Sequence, residues 1–251
     1  MNTKSILSSF FLFITFIVLS IAIGFFIKKI SNYEGAFLIS VEITFLILII
    51  VSAKKWKIDI FGSFRKIEKG NLFFVFFLGI LITLIYPILN IPDFINHLSR
   101  GEIGIMKLDI DFNNSITYPI NKYYYIRLIL IMPLLEELFY RGIIQHKLRK
   151  KNSMFVSIFV SSLLFGLGHP NLEQFSYTFI GGLIVGSIYD KSKNLSLTVL
   201  LHIIINFSVV LIKINYTFES KTAILFYHIF LISVILVVMK KIISKKNYNY
   251  D

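Results

Sequence analysis

The 251-residue chain contains no cysteine, which excludes disulfides, thiolate-held metals and a cysteine nucleophile. Charge is sparse: 16% of residues are Asp, Glu, Lys or Arg, where a soluble domain has about 25%. Acidic residues are scarcer still, 14 against 26 basic ones. So little charge excludes a water-soluble globule, and the high hydrophobicity excludes intrinsic disorder. Low-complexity linkers and internal repeats are missing too, so residues 1–251 read as one domain.

What is present in excess is apolar surface. Hydrophobic residues make up 56% of the chain, and the mean hydropathy is +0.75. They fall into eight blocks, 6–27, 36–53, 71–91, 122–148, 153–169, 174–189, 195–212 and 222–240. Each is close to the roughly 20 residues that carry a helix across a bilayer. Backbone polar groups in lipid must be satisfied within their own segment, and no block alternates as a barrel strand does. The fold expected is therefore all-α, a polytopic membrane protein of about eight transmembrane helices in one bundle.

The net charge of +12 follows from position. Lys and Arg cluster at the block ends, as topology and lipid headgroups require, so nucleic acid is not a partner. With the N-terminus taken as cytoplasmic, the inner segments hold more than twice the Lys and Arg of the outer ones, and both termini are expected in the cytoplasm. Block 6–27 is too long for a signal-peptide core and reads as a retained span. Trp56 and Tyr123–Tyr125 fall where interfacial aromatics belong. The outer loop 92–121 is the only long one and carries no interpretable motif.

Polar residues inside spans are costly and so informative. They are Glu42, Arg127, Glu136, Glu137, Arg141, His169, His202 and Asn206. Glu42 and Arg127 each lie near the outer end of a span and are expected to form a structural ion pair. Glu137 and Arg141, spaced i, i+4 with the acid first, form a nearly neutral pair that can be buried as a unit. Glu136 points about 100° away and has no such partner, which makes it a candidate for proton transfer. Pro133 cannot donate to the Ile129 carbonyl, so a kink is expected just before Glu136.

The block 153–169 ends in Phe165-Gly-Leu-Gly-His169-Pro, and the block 195–212 carries His202 and Asn206 on one face. Counted from the inner end, Glu136, His169, His202 and Asn206 lie roughly 21, 24, 12 and 18 Å deep. Four polar groups on three helices thus fall within one band of the membrane. A carboxylate, two imidazoles and a carboxamide can deprotonate a water and stabilise an oxyanion. Alternatively, the acid and imidazoles could hold one divalent metal such as zinc. Either set can hydrolyse an amide. The signatures His-Glu-x-x-His, Gly-x-Gly-Asp and Gly-x-Ser-Gly are absent.

These residues carry a resemblance. Glu136-Glu137-x-x-x-Arg141, Phe165-x-x-x-His169 and His202-x-x-x-Asn206, in this order, resemble the CPBP intramembrane proteases, also called the CAAX protease and bacteriocin-processing (Abi) family. The glycine-rich Gly181–Tyr189 between the second and last motifs fits as well, and the resemblance covers about residues 122–210. It implies an intramembrane endopeptidase in which Glu136 and His169 activate water. His202 and Asn206 would form the oxyanion site or complete a metal site, with Glu137 and Arg141 supporting. Eukaryotic members act on prenylated CAAX peptides; bacterial members are tied to peptide processing and bacteriocin self-immunity. A Lys-, Ile- and Asn-rich composition points to an AT-rich bacterium, hence to the bacterial cell membrane and to a membrane-associated or lipidated peptide or membrane-protein substrate. A non-catalytic scaffold or immunity protein is the second reading, and a proton-coupled transporter the third, although no inverted repeat of broken helices supports it.

Overall fold

The computed structural model describes residues 1–31, 35–89, 106–107, 122–169, 172–211, 215–216, 229, 231–238 and 240. Most of the loop 92–121 and part of the block 222–240 lie outside the described residues. Apart from a two-residue antiparallel pairing of Met106–Lys107 with Asn215–Tyr216, the described structure is helical.

Among the described residues, each apolar block falls on a helix. α1 is Thr3–Ser31, α2 Ala36–Trp56 and α3 Lys69–Leu89. α4 runs from Lys122 to Arg149 without a break, through two wide π-helical stretches, Arg127–Ile131 and Glu137–Gln145. α5 is Met154–Leu167, α6 Leu172–Ser192 and α7 Leu195–Leu211; residues 231–238 are helical too. Among the described residues, α1 and α2 are long and apolar enough to cross a membrane by themselves, while 69–84, 154–167 and 195–210 are shorter apolar helices. α1 turns Phe11, Phe25 and Phe26 outward at 71%, 73% and 65% exposure, a surface suited to lipid.

Where helices touch, small residues set the distance. At Gly79 an added Cβ would come within 2.5 Å of Ile204 Cγ2, which holds α3 against α7. At Gly182 it would meet Ser162 and Phe165 of α5 at 3.1 and 3.2 Å. A ladder of polar contacts joins α4 to α6. Arg141 Nη2 donates to the Gly182 carbonyl (3.3 Å), Gln145 Nε2 to the Gly186 carbonyl (2.8 Å), and Arg149 Nε to Asp190 Oδ1 (2.8 Å). Both partners advance by four residues per rung, so the two helices run parallel and in register.

The buried apolar side chains form two cores. One joins α1, α2, α4 and α5, with Phe16, Phe45 and Phe139 packed ring on ring at 4.4 to 5.7 Å. The other joins α3, α6, α7 and residues 231–238. The segments that the sequence assigns to the inner side meet at one end of the bundle. Asn2 N–H donates to Asn152 Oδ1 (2.7 Å), and Arg65 N–H to Asn194 Oδ1 (3.3 Å).

Candidate active site

The motif side chains face a cavity of about 220 Å³ between α4, α5, α6 and α7. Its wall includes Glu136, Glu137 and Arg141 from α4, Phe165 and His169 at the end of α5, and His202 and Asn206 from α7. All six site residues expected from the sequence are therefore brought together.

Local sequence explains the geometry of α4. In its first π stretch the Met132 N–H reaches back to the Arg127 carbonyl, one residue beyond the α register. In that register Pro133 should serve the Leu128 carbonyl, but proline has no N–H. Asn206 Nδ2 takes its place, donating to Leu128 O at 2.9 Å. The irregularity expected before Glu136 is thus a widened turn, and the carbonyl it frees anchors the last motif residue. One amide N–H of Asn206 is spent; the carboxamide has a second.

Glu137 and Arg141 form the ion pair that their spacing predicts, Oε1 to Nη1 at 3.0 Å, with both side chains buried. Glu137 has a further partner that spacing does not reveal: the same Oε1 lies 3.0 Å from His202 Nδ1. His202 Nε2 then faces Glu136 Oε2 at 3.6 Å, within ion-pair range but too long for a hydrogen bond. The adjacent glutamates diverge around the helix, yet one imidazole spans both. Because a carboxylate accepts, His202 holds its Nδ1 proton toward Glu137. Protonation at Nε2 as well would make a balanced set of two carboxylates, one guanidinium and one imidazolium.

His169 lies just past the last turn of α5, its Nδ1 at 2.9 Å from the Phe165 carbonyl. A carbonyl can only accept, so Nδ1 is the donor and Nε2 of the neutral ring is a free acceptor. Phe165 is the platform beneath the polar groups. Its ring centroid lies 4.8 Å from Arg141 Cζ, and its ring meets those of His169 and His202 edge to face at 5.1 and 5.8 Å.

Arg127 also reaches the cavity wall, but its guanidinium is turned to Glu42, Nε to Oε1 at 2.9 Å, while Tyr123 donates its hydroxyl to Glu42 Oε2 at 2.7 Å. The structural pair expected from depth is present. Sequence reasoning missed Gln145, four residues beyond Arg141, a spacing that could have revealed it as the next rung of the α4–α6 ladder. It also missed Gln174 and Thr178, which line the cavity two turns and one turn before Gly182 on α6. Among the described residues no three His, Asp or Glu side chains are grouped to hold a metal ion. Glu137 is taken up by Arg141 and His202, so Glu136, His169 and His202 are the side chains that would hold a metal there.

Comparison with known proteins bears on this region. Residues 120–208 match the Rce1-like family, described as "Type II CAAX prenyl endopeptidase Rce1-like". Over 97 residues the chain is 27% identical to "Putative membrane peptidase YdiL" of Bacillus subtilis (strain 168), covering 37% of this chain and 40% of that protein. No solved structure matches. The segment matched is the one that carries all three motifs and every motif side chain around the cavity.

Proposed function

From the CAAX-endopeptidase type of residues 120–208 and the side chains around the cavity, we propose that the protein is an intramembrane endopeptidase that hydrolyses peptide bonds by glutamate-activated water. Glu136 takes a proton from a water that His169 Nε2 orients. The resulting hydroxide bonds to the peptide carbonyl carbon, and charge moves to the carbonyl oxygen. His202 Nε2–H and the second amide N–H of Asn206 stabilise that oxyanion. When the intermediate collapses, the C–N bond breaks and Glu136 returns its proton to the leaving amine. Glu137, held by Arg141, keeps His202 oriented and balances its charge.

The observation that carries this reading is the convergence of Glu136, His169, His202 and Asn206 on one cavity. The substrate is a membrane-associated or lipidated peptide or membrane protein, cleaved in a bacterial cell membrane by an eight-span bundle with both termini in the cytoplasm. Peptide maturation or bacteriocin self-immunity suits a bacterial chain better than prenyl-CAAX cleavage. The test compares membrane-peptide fragments from cells carrying wild type or Glu136→Gln. The variant is expected to insert normally and lose the fragments; fragments unchanged in the variant would overturn the mechanism. No step requires a metal, so EDTA should leave cleavage by the purified protein intact.

A further inference from the structure

A second cavity, of about 630 Å³, lies at the opposite side of the α1–α2–α4 core, at the end of the bundle where the inner segments meet. Five lysines line it: Lys4, Lys55, Lys147, Lys150 and Lys151. No carboxylate lines it, and among the described residues none of the five is ion-paired. Lys147 is held in place, its Nζ bonded to Ser8 Oγ and 3.7 Å from the centroid of the Trp56 ring. Uncompensated positive charge thus converges on one space, and a phosphate oxygen, to which Lys is a regular ligand, would satisfy it.

The cavity is graded along its length. It follows α1 from Asn2 to Thr15, roughly 20 Å at 1.5 Å per residue. Its lysine end gives way to Phe11, Leu12, Leu48 and Val51 farther along the two helices. A free phosphate ion would use only the lysine end. A phosphodiester headgroup with its acyl chain uses both. We propose that this groove between α1 and α2 binds one anionic phospholipid of the inner leaflet, with its phosphodiester among the five lysines and an acyl chain along the apolar stretch. The site is separate from the motif cavity and does not depend on the proposed protease activity.

Trp56 lines the groove and is the only tryptophan in the chain, so its fluorescence reports occupancy. The full-length protein in zwitterionic bicelles is titrated with phosphatidylglycerol or phosphatidylcholine brominated on the acyl chain. Phosphatidylglycerol should quench Trp56 at lower mole fraction, by about fivefold in affinity per lysine engaged. Lys55→Gln/Lys147→Gln/Lys151→Gln should no longer distinguish the two lipids. A control with the same loss of charge at the same end, Lys54→Gln/Lys66→Gln/Lys69→Gln, should keep the preference. Equal quenching by both lipids in wild type, equal loss in both variants, or protection of Trp56 by the same concentration of inorganic phosphate would each overturn the proposal. If the site variant does not fold, wild type labelled with photoreactive phosphatidylglycerol decides. Adducts within residues 2–15 and 48–58 support the site, and adducts elsewhere overturn it.

Discussion

α4 carries two charged clusters about two turns apart, and they differ in what is left over. At Arg127 the ion pair with Glu42 is closed: one carboxylate oxygen faces the guanidinium and the other accepts from Tyr123. At Glu136–Arg141 the cluster is open. Glu137 is consumed by Arg141 and His202, but among the described residues Glu136, His169 Nε2 and one amide N–H of Asn206 keep unspent capacity facing a cavity. Both clusters offset the cost of charge inside an apolar bundle. Only the second holds reactive atoms away from their partners, which separates a brace from a site.

The largest effect expected from this contrast is on cleavage. Glu136→Gln should lower kcat by about a thousandfold or more, since the amide cannot take a proton. Glu42→Gln should leave the specific activity of the folded fraction unchanged. A fall in both would mean that the closed pair is part of the chemistry. Asn206→Ala comes next, with a loss on the order of a hundredfold in kcat and a small change in KM, the mark of a group used in the transition state. Because Asn206 also satisfies the Leu128 carbonyl, its unfolding temperature should drop as well. Asn206→Asp accepts but does not donate when ionised, so rescue by Asp would refute the donor role.

Glu137→Gln sharpens the comparison from the supporting side. It removes the charge that balances Arg141 and His202 while keeping the size of the side chain. Activity should fall roughly 10- to 100-fold, as for other groups that orient a reacting histidine. KM should change little, because Glu137 orients His202 and does not touch the substrate. A lowered unfolding temperature with unchanged activity per folded molecule would assign Glu137 to folding alone.

Much of this was legible in the sequence, because in lipid every polar residue stands out. The helices followed from apolar length, the Glu137–Arg141 pair from i, i+4 spacing, and the Glu42–Arg127 pair from matched depth. The sequence does not disclose the contacts that turn on backbone register. The π turn before Pro133 shifts the carbonyl that proline leaves idle from Ile129 to Leu128, and only then does Asn206 have an anchor. His202 bridging two glutamates depends on how α7 leans on α4, a tertiary fact with no periodicity. The α4–α6 ladder was hidden for another reason: two of its acceptors are the carbonyls of Gly182 and Gly186, which carry no side-chain signature.

The smallest effect is the most direct test of the closed cluster. Single reversals Glu42→Arg and Arg127→Glu each place like charges about 3 Å apart in an apolar setting, so each should destabilise the protein by several kcal/mol. The double reversal restores opposite charges and should recover part of the loss, with a coupling energy of about 1–3 kcal/mol. Recovery cannot be complete. Tyr123 donates its hydroxyl to Glu42, and an arginine at that position has nothing to accept it. Adding Tyr123→Phe to the double reversal should therefore cost less than adding it to wild type, where the hydroxyl is in use. Equal costs in both backgrounds would show that the tyrosine does not belong to the pair, and an absence of recovery in the double reversal would show that Glu42 and Arg127 act separately.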